Sequence, residues 1–150
     1  MTFPPKLQEL PIEAKWLITL VLTSFCFNHL AAAALVWEVT RDVAPSAQAH
    51  FSYKSFAALL RMTHQHAFGH GTMYFITGAI FLLAGCRGKL TLALITLPFI
   101  GAWADVASWF LLKYGSERWE LLSMASGAAY SIAFAWMLAA IFYEMWWKKN

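Results

Sequence analysis

Charged residues are scarce in this sequence, and the usual motifs of soluble enzymes are missing. Asp, Glu, Lys and Arg make up 13% of the 150 residues, whereas 60% are hydrophobic. Soluble domains are usually about 25% charged. The chain has no nucleotide-binding motif and no paired nucleophile and base, so it predicts no self-contained catalytic machinery. The cations behind the formal charge of +3 are spread along the chain, which argues against a nucleic-acid-binding face.

Cysteine is also rare. Cys26 and Cys86 stand alone, without Cys-x-x-Cys spacing, so neither a disulfide framework nor a zinc site is expected. Each is interpreted as a small apolar residue in the protein interior.

Four long apolar runs dominate the sequence, at residues 16–37, 62–84, 90–112 and 121–147. Each is near or above the roughly 20 residues that a helix needs to cross a bilayer. The turns between the last three runs are short, and short turns make neighbouring helices antiparallel. The sequence therefore predicts an all-α integral membrane protein, a single four-span antiparallel helix bundle over residues 1–150.

The segments around the first run complete this topology. The first run is longer than the roughly 7–15 apolar residues of a cleaved signal, so the span is expected to be retained. Prolines delay the first helix until about Ile12. Residues 39–54, including Pro45, are predicted to form the one long loop, and residues 55–61 a short amphipathic helix at the membrane surface. Cations hard against the span ends favour cytoplasmic termini. These are Arg87, Lys89, Lys148 and Lys149.

Three histidines open the second run, where ionisable side chains are costly and mark a candidate functional site. His66 and His70 are four residues apart and therefore lie on one face of a helix, whereas His64 must face another way. His29 in the first run and Asp105, interpreted as the only acid deep in a span, lie at similar depth. The sequence therefore predicts that four side chains converge inside the bundle: His29, His66, His70 and Asp105.

Such a cluster matches the ligands of a b-type haem, whose iron takes imidazoles from facing helices of a bundle. His29 and one of His66 and His70 are the predicted axial ligands, with His70 favoured because its depth matches that of His29 better. The histidine of the α-helical pair that does not bind iron, expected to be His66, would contact a haem propionate or orient a ligand histidine. Asp105 is the other residue expected in this role. Gly69, Gly71 and Gly127 are expected to leave room for a flat macrocycle.

Other functions fit the same residues. A bare transition metal could take the histidines and Asp105 as ligands, in a carrier or sensor. A cofactor-free structural or assembly subunit would use the histidines only as hydrogen-bonding groups between helices. Proton conduction through the cluster ranks below these.

Two stretches carry a family resemblance. The first is the Met-Thr-His-x-His-x-Phe-Gly pattern at residues 62–69. The second comprises Pro98, a Trp-Ala-Asp-Val-Ala-Ser-Trp segment at residues 103–109, Leu-Lys-Tyr at 112–114 and Gly127. Spans two to four thus resemble short four-span proteins found beside proteobacterial cytochrome genes and often mislabelled elongation factor 1-alpha. The resemblance implies a small subunit of an electron-transfer system in the bacterial inner membrane. Together with the histidine cluster, this makes the leading hypothesis a subunit that binds haem b and passes electrons between quinol and a cytochrome partner, within a hetero-oligomer.

Overall fold

Five helices make up most of the chain. The computed structural model describes residues 6–39, 41 and 46–148. The helices are α1 (Ile12–Glu38), α2 (Ala47–Ser52), α3 (Phe56–Phe81), α4 (Lys89–Tyr114) and α5 (Glu120–Phe142). A π-helical turn, Tyr143–Trp147, extends α5. No strand occurs in the described residues, so the predicted all-α class is confirmed.

By length and composition, three helices of the described chain can cross a membrane: α1, α4, and α5 with its flanking turns. The fourth long helix, α3, has 26 residues, enough for a length of about 39 Å at 1.5 Å per residue. Its histidines, glutamine and threonines dilute its apolar character, and it packs against both α4 and α5. The least apolar of the four long helices, α3, is therefore the one that contains most of the histidines.

The segment between the first two spans differs most from the sequence-based prediction. The predicted surface helix at residues 55–61 is wrong as a separate element, because α3 runs without a break from Phe56. The Ser55 hydroxyl accepts a hydrogen bond from the Ala58 backbone N–H at 3.1 Å and so caps this helix. The predicted loop at residues 39–54 contains α2, capped in the same way by Ser46. Pro45, Lys149 and the remaining undescribed residues lie outside the described ranges.

The turn between α3 and α4 contains one further difference. Cys26 is half-buried as a free thiol, but Cys86 is exposed in the turn between α3 and α4 and so is not an interior residue. Gly85 and Gly88 in this turn have φ angles of 69° and 95°, which favour glycine. The start of α1 at Ile12, directly after Pro11, agrees with the predicted delay.

The tightest packing joins α4 to α5. A methyl group added at Gly101 of α4 would lie 3.1 Å from the Ser126 carbonyl oxygen and 3.2 Å from the Tyr130 Cβ. The helix backbones can approach this closely because Gly101 has no side chain. Tyr74, Phe134 and Met137 lie in the adjoining apolar core.

We predict that Gly101→Val destabilises the bundle by about 1–3 kcal/mol, because its methyl groups would collide with the α5 backbone. Gly69→Val is the matched control, since a Cβ at Gly69 meets nothing within 4 Å. Thermal unfolding of both variants in detergent measures the difference. Equal melting temperatures would contradict the close approach of α4 and α5.

In contrast, α1 is attached loosely. Leu22 is its one fully buried residue. Near its start, the Trp146 Nε1–H donates to the Thr19 hydroxyl at 3.1 Å, and the Trp16 and Trp146 rings are 5.6 Å apart. Near its middle, His29 contacts α5. The first helix therefore docks through a few apolar side chains, Ile18, Leu22 and Phe25, and through these polar and aromatic contacts.

Candidate functional site

The site begins with His66 on α3. Its Nδ1–H donates to the Met62 carbonyl oxygen at 2.9 Å, four residues earlier in the same helix. A carbonyl oxygen only accepts, so this bond places the hydrogen on Nδ1 and leaves Nε2 as the acceptor in the neutral ring. The imidazole lies edge-on to Trp109 of α4, with ring centroids 4.8 Å apart, and 5.4 Å from His70.

Trp109 joins this histidine to the short helix α2. Its other neighbour is Phe51, whose ring is stacked on the indole at a centroid distance of 5.6 Å and an angle of 15°. The Gln48 backbone N–H of α2 also donates to the Glu120 carboxylate at 3.0 Å. Packing and hydrogen bonding therefore hold α2 over the end of the bundle nearest His66.

His70 lies one turn further along α3, among aromatic side chains. Its ring is stacked on Tyr74 at 5.4 Å and 26°, and it contacts Tyr130 of α5 at 5.4 Å. The His70 Nδ1 and the Tyr74 hydroxyl are both buried without a hydrogen-bond partner among the described residues. Buried polar atoms are nearly always paired, so two unpaired atoms on one helix face mark it as a candidate ligand site.

His29 reaches the same aromatic group from α1. A hydrogen bond of 3.0 Å joins its Nε2 to the Ser131 hydroxyl of α5. Its ring is 6.0 Å from Tyr130 and 5.4 Å from Phe134. Tyr130 therefore contacts His29 on one helix and His70 on another.

Asp105 is buried, but its partner differs from the prediction. The Ser123 hydroxyl of α5 donates to its Oδ1 at 2.8 Å. The predicted bond to a ligand histidine is not seen in the described part of the chain, where His66 uses the Met62 carbonyl instead. The helix itself places the Met62 carbonyl oxygen within reach of the His66 ring, whereas a bond to Asp105 depends on how α3 packs on α4. Asp105 therefore links α4 to α5.

The described residues include no group of three or more His, Cys, Asp and Glu side chains placed to hold a metal ion. The predicted convergence of His29, His66, His70 and Asp105 is thus partial. The structure brings His66 together with His70, and joins His70 to His29 through Tyr130. A bare-metal site built from all four residues receives no support from this arrangement.

The two other histidines lie apart from the cluster. His64 is exposed, in agreement with the helical spacing. His50 lies in α2, outside the spans, where burial and then the nearby Lys54 charge lower its pKa.

A cavity of about 280 Å³ opens between α3 and α4 beside the histidines. It is lined by His66, His70, Gly71, Tyr74, Phe99 and Trp103, together with small apolar residues. A second, larger depression of about 500 Å³ adjoins it, and Tyr74 and Phe99 line both. The lining of the second depression is otherwise almost wholly apolar.

Residues 45–150 match the family model Aq_1264_TM, described as a transmembrane helical domain. The chain belongs to this family. The match covers most of the chain, and with three membrane-competent helices it identifies a multi-pass membrane protein. No curated protein and no solved structure matches the chain. The Aq_1264_TM region contains α2 to α5, and with them His66, His70, Asp105 and the cavity, whereas His29 on α1 lies outside it.

Several residues of the site were missed in the sequence. Tyr74 follows His66 and His70 at the same four-residue spacing, and this helical stripe would have identified it. Tyr130 and Ser131 of α5 have no comparable signal, because only the packing of helices distant in sequence brings them to the histidines. Glu144 was also overlooked as a second buried acid. It pairs with Lys148 at 3.1 Å, beyond the end of α5.

Proposed function

We propose that this Aq_1264_TM protein is a small subunit of an electron-transfer complex in the bacterial inner membrane, binding a b-type haem through His29 and His70. The contact of both imidazoles with the Tyr130 ring, at 6.0 and 5.4 Å, carries the proposal. The two imidazole centroids can be at most 11.4 Å apart, the sum of these distances. Histidines from two helices at one level are the donor set that axial ligation of haem iron requires.

The residues fit the ligand chemistry, but the space must change for a haem to enter. The structure places the Tyr130 ring against both imidazoles, and the Nε2 of His29 is hydrogen-bonded to the Ser131 hydroxyl. For His29 and His70 to hold a haem, the Tyr130 ring would have to turn aside and the His29–Ser131 hydrogen bond would have to be released. The loose attachment of α1, with Leu22 as its one buried residue, lets this helix adjust at small cost in buried surface.

Within such a subunit the haem would supply a one-electron carrier, and the chain would position it. His66, whose Nδ1–H is bound to the Met62 carbonyl, keeps a fixed orientation beside His70. Asp105 and Ser123 hold α4 and α5 together next to this cluster. A cytochrome partner in the same membrane would exchange electrons with the haem.

A second function has specific support. The His29–Ser131 hydrogen bond and the Tyr130 contacts close the helix interfaces without any cofactor. Histidine bridges of this kind stabilise membrane bundles by about 0.6–2 kcal/mol each. A cofactor-free structural or assembly subunit is therefore the alternative.

Absorption spectroscopy with metal analysis of the purified protein separates these functions. A reduced α-band of a b-type haem, with one iron per chain, is the expected result. Stoichiometric copper or zinc without haem would favour a metal-binding protein. A colourless, metal-free protein from haem-replete cells would favour the cofactor-free subunit.

We further predict that four helices cross the membrane, with both termini in the cytoplasm. Reporter fusions at Asn150 and within residues 46–54 should then report opposite sides. A fusion pair on the same side would contradict this topology and would show that α3 or another long helix does not span.

A further inference from the structure

We propose that an isoprenoid quinone binds in the two adjoining depressions between α3 and α4. Its headgroup lies in the cavity of about 280 Å³ beside His70, and its tail in the apolar depression of about 500 Å³. The inference rests on the proposed electron-transfer function and deepens it by naming the mobile redox partner and its site.

The smaller cavity suits a flat ring with two carbonyl oxygens. His70 and Tyr74 line it, and the His70 Nδ1 and the Tyr74 hydroxyl have no partner among the described residues. Both atoms are buried, so each ring must turn toward the cavity before its phenol O–H or imidazole N–H can donate to a quinone carbonyl oxygen. Phe99 and Trp103 add aromatic faces on which such a ring can stack. At about 280 Å³ the cavity lies just below the range of about 300–1,000 Å³ for small-molecule sites, so it suits a headgroup whose tail lies elsewhere.

The larger depression suits a long hydrocarbon chain. Gly78 and Ala79 of α3 keep it open, and Leu82, Ile95 and Ile100 form apolar walls. Thr96, the one hydroxyl beside Tyr74, already donates to the Leu92 carbonyl oxygen at 2.8 Å. Phe75 and Ile100 are exposed at the rim, so the depression opens on the surface that faces lipid.

The arrangement of the two depressions side by side indicates the class of ligand. Tyr74 and Phe99 line both, so a polar end and an apolar end follow one another without a break. Among the described residues, no lysine or arginine lines either depression, which argues against the phosphate headgroup of a phospholipid. A neutral headgroup with hydrogen-bond acceptors and a long apolar tail is the ligand that matches.

The test is a titration of the detergent-purified full chain with a decyl-tailed benzoquinone, followed by quenching of tryptophan fluorescence. Gly71→Leu places a side chain in the headgroup cavity, and a Cβ at Gly71 meets nothing within 4 Å. We expect this variant to weaken binding tenfold or more. Gly69→Leu is the matched control, since Gly69 is exposed, lines neither depression and has equal space for a Cβ. Tyr74→Phe, which removes only the hydroxyl, should weaken binding several-fold.

Equal binding by the Gly71→Leu and Gly69→Leu proteins would overturn the proposal. A short-chain phospholipid with decanoyl tails, added as a competitor, should not displace the quinone, and displacement at equal concentration would also overturn it. Melting temperatures confirm that each variant is folded. The titration needs no haem, so the two proposals fail separately. Gly71-dependent quinone binding by a haem-free protein contradicts only the haem, and a haem spectrum without quinone binding contradicts only the quinone site.

Discussion

His70→Ala is expected to abolish the bis-imidazole haem spectrum of the purified protein, and His29→Ala is expected to do the same. Each variant removes one of the two imidazoles that contact Tyr130 from different helices. In the His29→Ala protein, His66 cannot take the place of His29 beside His70, because both lie on α3 and a haem about 10 Å across needs its axial ligands on facing helices. Reduced-minus-oxidised difference spectra, with haem quantified per chain, measure the effect.

His64→Ala is the control for this pair and should leave the spectrum unchanged, since His64 is exposed. A smaller variant, His70→Gly, offers a rescue, because added imidazole can occupy the vacated position and restore the spectrum. If both alanine variants keep the parent spectrum, the assignment of His29 and His70 is wrong.

Phe134→Ala is expected to have the largest effect on stability, about 3–5 kcal/mol, because it leaves a cavity where the ring was. The Phe134 side chain is 2% exposed and contacts His29 at 5.4 Å and Tyr74 at 5.9 Å between ring centroids. It thus supports α1 and α3 from α5. Unfolding of the detergent-solubilised protein, followed by circular dichroism, measures the change.

Phe68→Ala provides the matched comparison, since the Phe68 side chain is 73% exposed and its loss should change stability by less than about 0.5 kcal/mol. A loss as large for Phe68 as for Phe134 would mean that the side of α3 bearing Phe68 is buried, and that the packing described above is wrong.

The helical architecture could be predicted from hydropathy alone, because membrane-spanning segments must be both long and apolar. The segment before α3 could not. The cap formed by Ser55 lets α3 begin at Phe56, before the apolar run. The short helix α2 forms in a stretch whose polar residues indicated a loop. Local capping and the stacking of Phe51 on Trp109 decide these elements, and hydropathy does not report them.

Part of the candidate site could likewise be predicted from the sequence, and part could not. Helical spacing predicted that His66 and His70 share a face and that His64 does not, since this depends on one helix only. The partners of these residues depend on how different helices pack. Asp105 accepts a hydrogen bond from Ser123 instead of one from a histidine. His29 and His70 were expected to face each other, and both contact the ring of Tyr130. No spacing along the chain encodes such pairings.

Electron paramagnetic resonance of the oxidised, purified protein tests the haem assignment most directly, because it reports both axial ligands of the iron. The assignment predicts a low-spin ferric signal typical of two imidazole ligands, one per chain, which His29→Ala and His70→Ala each convert to a high-spin signal or remove. A protein that carries no haem iron, or whose low-spin signal survives both substitutions, would contradict it.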